Sequence, residues 1–346
     1  MSGRCNIAQI RGKKALFATD LFNGLGRRLA EQVRRPTSAF LFNNSQAIEL
    51  QHLNFMLKTS KFALVATLLL VVGCASFERG DDGDNSQNPK ELEYEVVEFL
   101  PAPGQFVNEG YAAASMAEAC AYAQERLDSR YFVSLGGFGG YIVVRFVEPV
   151  PNSGDYDFGI YGNAFKTSSE PGVVWVSQDL NANGLADDEW FELYGSESEA
   201  ESTIRNYSVT YSRLDDATTI AWRDSEGESG IIERNAAHTQ DYFPAWVAEK
   251  EYTLSGTRLK DNAVWCDLNQ EWQLLPFEWG YADNYSSTDR HDNRANMFRI
   301  SDARTSDGEA ANLTQIDFVK VQSATNAIHS AIGETSTEVA GFIREI

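Results

Sequence analysis

The strongest chemical signal in this 346-residue sequence is the run Asp179-Leu-Asn181-Ala-Asn183-Gly184-Leu185-Ala-Asp187-Asp188-Glu189. Oxygen-bearing side chains stand at the first, third and fifth positions, with Gly at the sixth, which is how an EF-hand-like calcium loop opens. A hard cation needs six to eight oxygens, and alternate residues of a tightly turned loop point to the same side. The Leu185 carbonyl falls at the seventh-position ligand. The run then departs from the pattern: Trp190 stands where a bidentate Glu belongs, so Asp187, Asp188 and Glu189 must close the cage differently. The expected cofactor is calcium in a structural role. The competing reading is an Asx-rich hairpin turn, which the same residues favour.

Other chemistry is sparse. There is no GxSxG elbow, HExxH, phosphate loop or dinucleotide fingerprint in a suitable context. After Cys74 the only histidines are His238, His291 and His329, each in a polar stretch. A glycosidase needs two carboxylates, and the acids are too many for a pair to be chosen. Aromatic residues recur in turn-rich, polar stretches: Tyr242 and Trp246, then Trp279, Tyr281 and Tyr285, with Asp283 beside them. Such rings either stack on sugars and other flat ligands or belong to the core.

The elements that must position these groups are mostly strands. Ala112–Leu127 is Ala-rich and helical in pattern. Beyond it, short β runs alternate with turn residues: Tyr141–Val147, Gly172–Ser177, Trp190–Tyr194, Tyr207–Ser212, Thr219–Arg223, Glu251–Leu254, Trp272–Trp279, Met297–Ile300 and Ile316–Gln322. Tyr207, Val209 and Tyr211 are expected inward, with Ser208, Thr210 and Ser212 outward. Many short strands and one or two short helices imply a mainly β fold, an antiparallel sandwich or jelly-roll-like single domain over residues 96–346.

Ahead of that domain stands an export signal. Lys58 and Lys61 precede an apolar run from Phe62 to Val72, too short to span a bilayer but suited to a signal peptide. Val71-Val72-Gly73-Cys74 closes it as a lipobox does, which makes Cys74 the expected lipidation site, residues 56–73 the signal peptide and Met56 the expected start. Residues 1–55 then read as a mis-assigned start or disordered leader. Residues 74–95, polar and acidic, read as a flexible tether. Ala75 after the Cys points to outer-membrane or cell-surface delivery of a lipid-anchored envelope protein. Residues 1–73 carry ten Lys and Arg against three Asp and Glu, so of the chain's 29 basic and 50 acidic residues, 19 and 47 lie from Cys74 onward. A body that acidic repels nucleic acid. Cys120 and Cys266 remain as either a disulfide or two buried thiols.

The block Ser169–Glu197, together with Phe158–Phe165, His238–Trp246, Phe277–Asn284, Ile316–Val321 and Gly333–Glu338, resembles bacterial cell-surface lipoproteins of the Bacteroidetes type, often described as PKD-domain-containing. The resemblance implies a secreted β-sandwich and transfers no activity, and this chain lacks a separate PKD repeat. The expected function is a calcium-stabilised envelope lipoprotein that binds a surface ligand, a glycan or other nutrient. The alternatives are a structural or adhesive envelope protein and a glycan-directed hydrolase.

Overall fold

A computed structural model of the chain describes residues 90–214, 219–290, 295–329 and 332–344. Cys74, the signal segment and most of the tether lie outside the described residues. Among the described residues no helix is long and apolar enough to cross a membrane.

The unit spanning residues 85–346 is mainly β, built of antiparallel sheets, with no closed barrel among the described residues. A six-stranded central sheet runs, edge to edge, Ala303–Arg304, Phe191–Leu193, Gly172–Ser177, Gln315–Ser323, Tyr141–Pro151 and Tyr94–Leu100. A four-stranded sheet of Lys90–Glu91, Gly341–Arg344, Phe158–Tyr161 and Ala295–Phe298 packs on one of its faces. Val144, Val176, Val319 and Val321 from the first meet Phe158, Ile160, Phe298 and Phe342 from the second in one core. This is the sandwich that the alternation of short apolar runs implies. Strand pairing already involves Lys90 and Glu91, so the folded part begins inside the segment read as tether.

A second four-stranded sheet, Ser229–Glu233, Thr219–Asp224, Ile204–Arg213 and Glu251–Arg258, has its own core. Tyr207, Val209 and Tyr211 are buried there, and the Tyr211 hydroxyl donates to the Phe138 carbonyl at 2.9 Å. Leu100 and Tyr141 of the central sheet pack against this core.

The one α-helix among the described residues, α1 (Met116–Asp128), starts after Ser115, whose Oγ accepts the Glu118 N–H while the Glu118 carboxylate accepts the Ala114 N–H. This reciprocal cap explains why the helix begins later than its Ala-rich run. Ala119, Cys120, Ala123 and Leu127 form its buried face. Cys120 and Cys266 are free thiols. Burial pushes the Cys120 thiol up to about 11. In native protein iodoacetamide should therefore label Cys266 and spare Cys120, which reacts only after unfolding. A Cys120–Cys266 disulfide peptide in a non-reducing digest would contradict this arrangement.

Candidate functional site: a polar row on the second face of the central sheet

The central sheet has two unlike faces, and the chemistry lies on the one away from the sandwich core. Strand register sets one residue from each of the six strands into a transverse row: Arg304, Glu192, Trp175, Lys320, Val143 and Glu98. Directly paired residues point to the same side of a sheet, so five of the six present polar or aromatic groups together. Glu98 reaches this face because the register shifts between Val96 and Glu98. Without that bulge Glu98 would share the face of Val96, which is in the sandwich core.

The Lys320 ammonium lies 4.8 Å from the Trp175 ring centroid and 5.1 Å from that of Trp190. Burial pulls its pKa down to about 8, against the pull of Glu98 and Glu192 in the other direction. Burial likewise raises the Glu192 carboxyl, which accepts the Thr257 hydroxyl. Trp175, Trp190, Glu192, Tyr194, Arg205 and Arg304 wall a cleft of about 160 Å³; the Trp175 indole N–H is itself buried and has no hydrogen-bond partner. Leu193 and Tyr194 also line a neighbouring cavity of about 200 Å³ with Trp279, Tyr156 and Arg299. Tyr194 and Trp279 are 6.1 Å apart, and the Arg304 guanidinium sits 5.3 Å from the Tyr194 centroid. Both cavities are smaller than the roughly 300 Å³ at which pockets for drug-sized ligands begin. Each has room for one small ring.

The Asx-rich loop folds back beside this row. Asp179 accepts the Asn183 N–H at 3.1 Å and the Gly184 N–H at 2.8 Å. Asn181 and Asn183 each accept a backbone N–H two residues on, from Asn183 and Leu185. The Asn181 amide donates to Asp187 and Asp188, and the Asn183 amide to Asp187. Positive φ at Ala182 (57°) and Gly184 (73°) makes the turn. The side chains of Asp179, Asn181, Asn183, Asp187 and Asp188 are thus tied together by the hydrogen bonds of an Asx-rich turn, with the Asn181 and Asn183 amide N–H groups turned toward the carboxylates. Glu189 takes no hydrogen bond from them; its carbonyl accepts the Ser177 hydroxyl. The Leu185 side chain is exposed. The loop is tied to the sheet by Arg145, which donates to the Gly184 carbonyl and pairs with Glu95 at 2.6 Å.

The aromatic residues singled out from sequence divide. Tyr242 and Tyr281 are 3% and 2% exposed, so their rings belong to cores and not to a ligand surface. Their hydroxyls accept backbone N–H groups from Asn235 and Glu197. Trp246, half-buried, packs near Phe99 and Tyr111. Tyr285 lies under the Arg290 guanidinium at 4.1 Å. Of the set, Trp279 lines the cavity of about 200 Å³, and Trp175, Trp190 and Tyr194 line the cleft beside it. Each histidine that falls among the described residues has a carboxylate partner, His238 with Glu109 and His329 with Asp261. His291 lies outside them.

No protein-family model matches this chain, and no curated protein matches it.

A second cluster lies elsewhere. Asp283, 1% exposed, accepts backbone N–H groups from Asn163 and Ala164 on Oδ1, both at 2.8 Å, and from Glu338 on Oδ2 at 3.0 Å. It holds a left-handed backbone, φ 52°. One carboxylate oxygen from each of Glu170, Asp283 and Glu338 lies within 4.8 Å of the others. Burial pushes all three carboxyls up; the Asp283 charge adds to the rise at Glu170 and Glu338, whereas the three N–H donors restrain it at Asp283.

Proposed function

We propose that the chain is a lipid-anchored protein of the bacterial cell envelope whose β-sandwich binds a saccharide in the cleft at Trp175, Trp190 and Tyr194. The observation that carries this reading is the register row Arg304–Glu192–Trp175–Lys320, which places an aromatic floor between charged, planar hydrogen-bonding groups. Sugar rings present an apolar C–H face and a polar edge. Indole rings take the first, and carboxyl and guanidinium groups take pairs of hydroxyls on the second. The lipobox ending at Cys74 supports the envelope location, and the acidic body speaks against nucleic acid.

In this reading calcium is held by Asp179, Asn181, Asn183 and Asp187 and serves to fix the loop, and with it Trp190 at its end. Binding of soluble glycans, read by a glycan array and then by calorimetry, tests the cleft. Trp190→Ala should weaken binding by about 10-fold to 100-fold, the size of one well-placed aromatic contact. Chelation should weaken it through the loop. Unchanged affinity in the Trp190→Ala protein, or no glycan bound at millimolar concentration, would remove the proposal.

A further inference from the structure

We propose that Glu170, Asp283 and Glu338 form a second, buried site for a divalent cation of the calcium class, separate from the Asx-rich loop. The three come from distant parts of the chain: Glu170 just ahead of the strand Gly172–Ser177, Asp283 from the loop after Trp279, and Glu338 from a two-residue strand, Glu338–Val339, paired with Val133–Ser134.

The polar accounting at this cluster is incomplete without a cation. Oε1 of Glu338 accepts the Ser134 hydroxyl at 2.9 Å, whereas Oε2 is buried and has no hydrogen-bond partner. It faces the Glu170 carboxyl, which is another acceptor unless a proton or a metal lies between the two. Glu170 itself accepts a long N–H contact from Ser336, at 3.2 Å. Among the described residues, no Lys, Arg or His forms an ion pair with any of the three. A buried carboxylate left without a counter-charge is among the most costly groups a fold can hold. Nature commonly meets that cost with protonation, a basic partner or a metal. The basic partner is absent here. A proton shared between Glu338 and Glu170 would still leave beside them Asp283, whose three N–H donors stabilise its ionised form.

The donor chemistry selects the ion. All three ligands are carboxylate oxygens, with neither nitrogen nor sulfur, so a hard cation is favoured over zinc or copper. Calcium binds oxygens at about 2.3–2.6 Å, so two oxygens on opposite sides of it stand roughly 5 Å apart, and a 4.8 Å cluster fits inside that span. Magnesium at about 2.0–2.1 Å demands a tighter octahedron and parts with its waters reluctantly. A calcium ion here would fasten the segments at residues 170, 283 and 338 to one another.

The experiment separates the two sites. Calcium bound per chain is measured by equilibrium dialysis with elemental analysis, on the purified full chain and on an Asp179→Asn/Asp187→Asn variant that disables the exposed loop without touching a core residue. The loop variant should retain one calcium, bound at least 10-fold more tightly than magnesium. Adding Glu170→Gln, at a half-buried position, should abolish that remaining site, and Glu338→Gln should do the same. No calcium on the loop variant, or calcium that survives Glu170→Gln, would overturn the proposal. The difference between wild-type and loop variant reports on the loop alone, so the fate of that reading is read separately.

Discussion

Asp283→Ala should destabilise the fold by about 3–5 kcal/mol, measured by chemical denaturation of calcium-free protein. Three buried backbone N–H groups, from Asn163, Ala164 and Glu338, end on this one carboxylate. Hydrogen bonds to a charged acceptor contribute roughly 1.5–3 kcal/mol each, and a stranded buried donor costs a further 1–3 kcal/mol. Against this stands the relief of no longer burying a charge, which keeps the net below the plain sum. Ala also lacks the side chain that makes the left-handed backbone at φ 52° tolerable for Asp. Asp283→Asn is the informative partner. It keeps an Oδ1 acceptor for Asn163 and Ala164 but turns an amide N–H toward the Glu338 N–H, so it should fall between wild-type and Ala. A loss under about 1 kcal/mol for Asp283→Ala would mean that these N–H groups find other acceptors, and that the carboxylate does not organise the loop.

How much of this was legible in the residues themselves depends on the distance over which the signal travels. Alternation within one strand is local, so Tyr207, Val209 and Tyr211 could be read inward from sequence, and they are buried. Gly172–Ser177 was likewise readable, as a β-branched run between turn residues. The strand expected over Trp272–Trp279 stops at Leu274, because Pro276 cannot donate to a ladder. Tyr94–Leu100, with two Glu among its seven residues and a bulge between them, carries no clean period in the sequence. Aromatic residues were the least reliable guide. Tyr242 and Tyr281 sit in polar sequence surroundings, yet each buries its ring and spends its hydroxyl on a backbone N–H. The row that supplies Arg304, Glu192 and Trp175 to the cleft takes one residue from each of six strands, so it exists only once register is fixed. Glu338 donates its backbone N–H to an Asp283 that lies 55 residues away in sequence, and no spacing rule joins them. The Asx-rich loop is the opposite case: its five converging side chains lie within ten residues, and its turn chemistry is written in that order.

A second large effect follows from Glu334, in the strap that precedes the buried triad. It is 3% exposed, and its Oε1 accepts the Gln105 N–H at 2.6 Å. Burial pushes its carboxyl up to about 7, with that N–H pulling the other way. The native state therefore holds a proton that the unfolded chain releases at about 4.5. Where the native state binds more protons, unfolding free energy falls as pH rises. The contribution of Glu334 is thus complete below about pH 4.5 and declines as pH climbs through 7. A shift of this size is worth about 3 kcal/mol between the two limits. Glu334→Gln removes the titration, while its amide oxygen can still accept from Gln105. The variant should match wild-type near pH 5 and exceed it by roughly 2–3 kcal/mol near pH 8.5, in denaturation curves taken in chelator. The tyrosines that face this group, Tyr211 and Tyr242, are raised by burial and stay neutral across that range. Glu170 titrates in both proteins and is itself raised by the Glu334 charge, so the difference between the two curves reports Glu334 together with its coupling to Glu170. Parallel curves from pH 5 to 8.5 would show that the carboxyl is solvated or paired in the native state, and that the strap is open where the structure closes it.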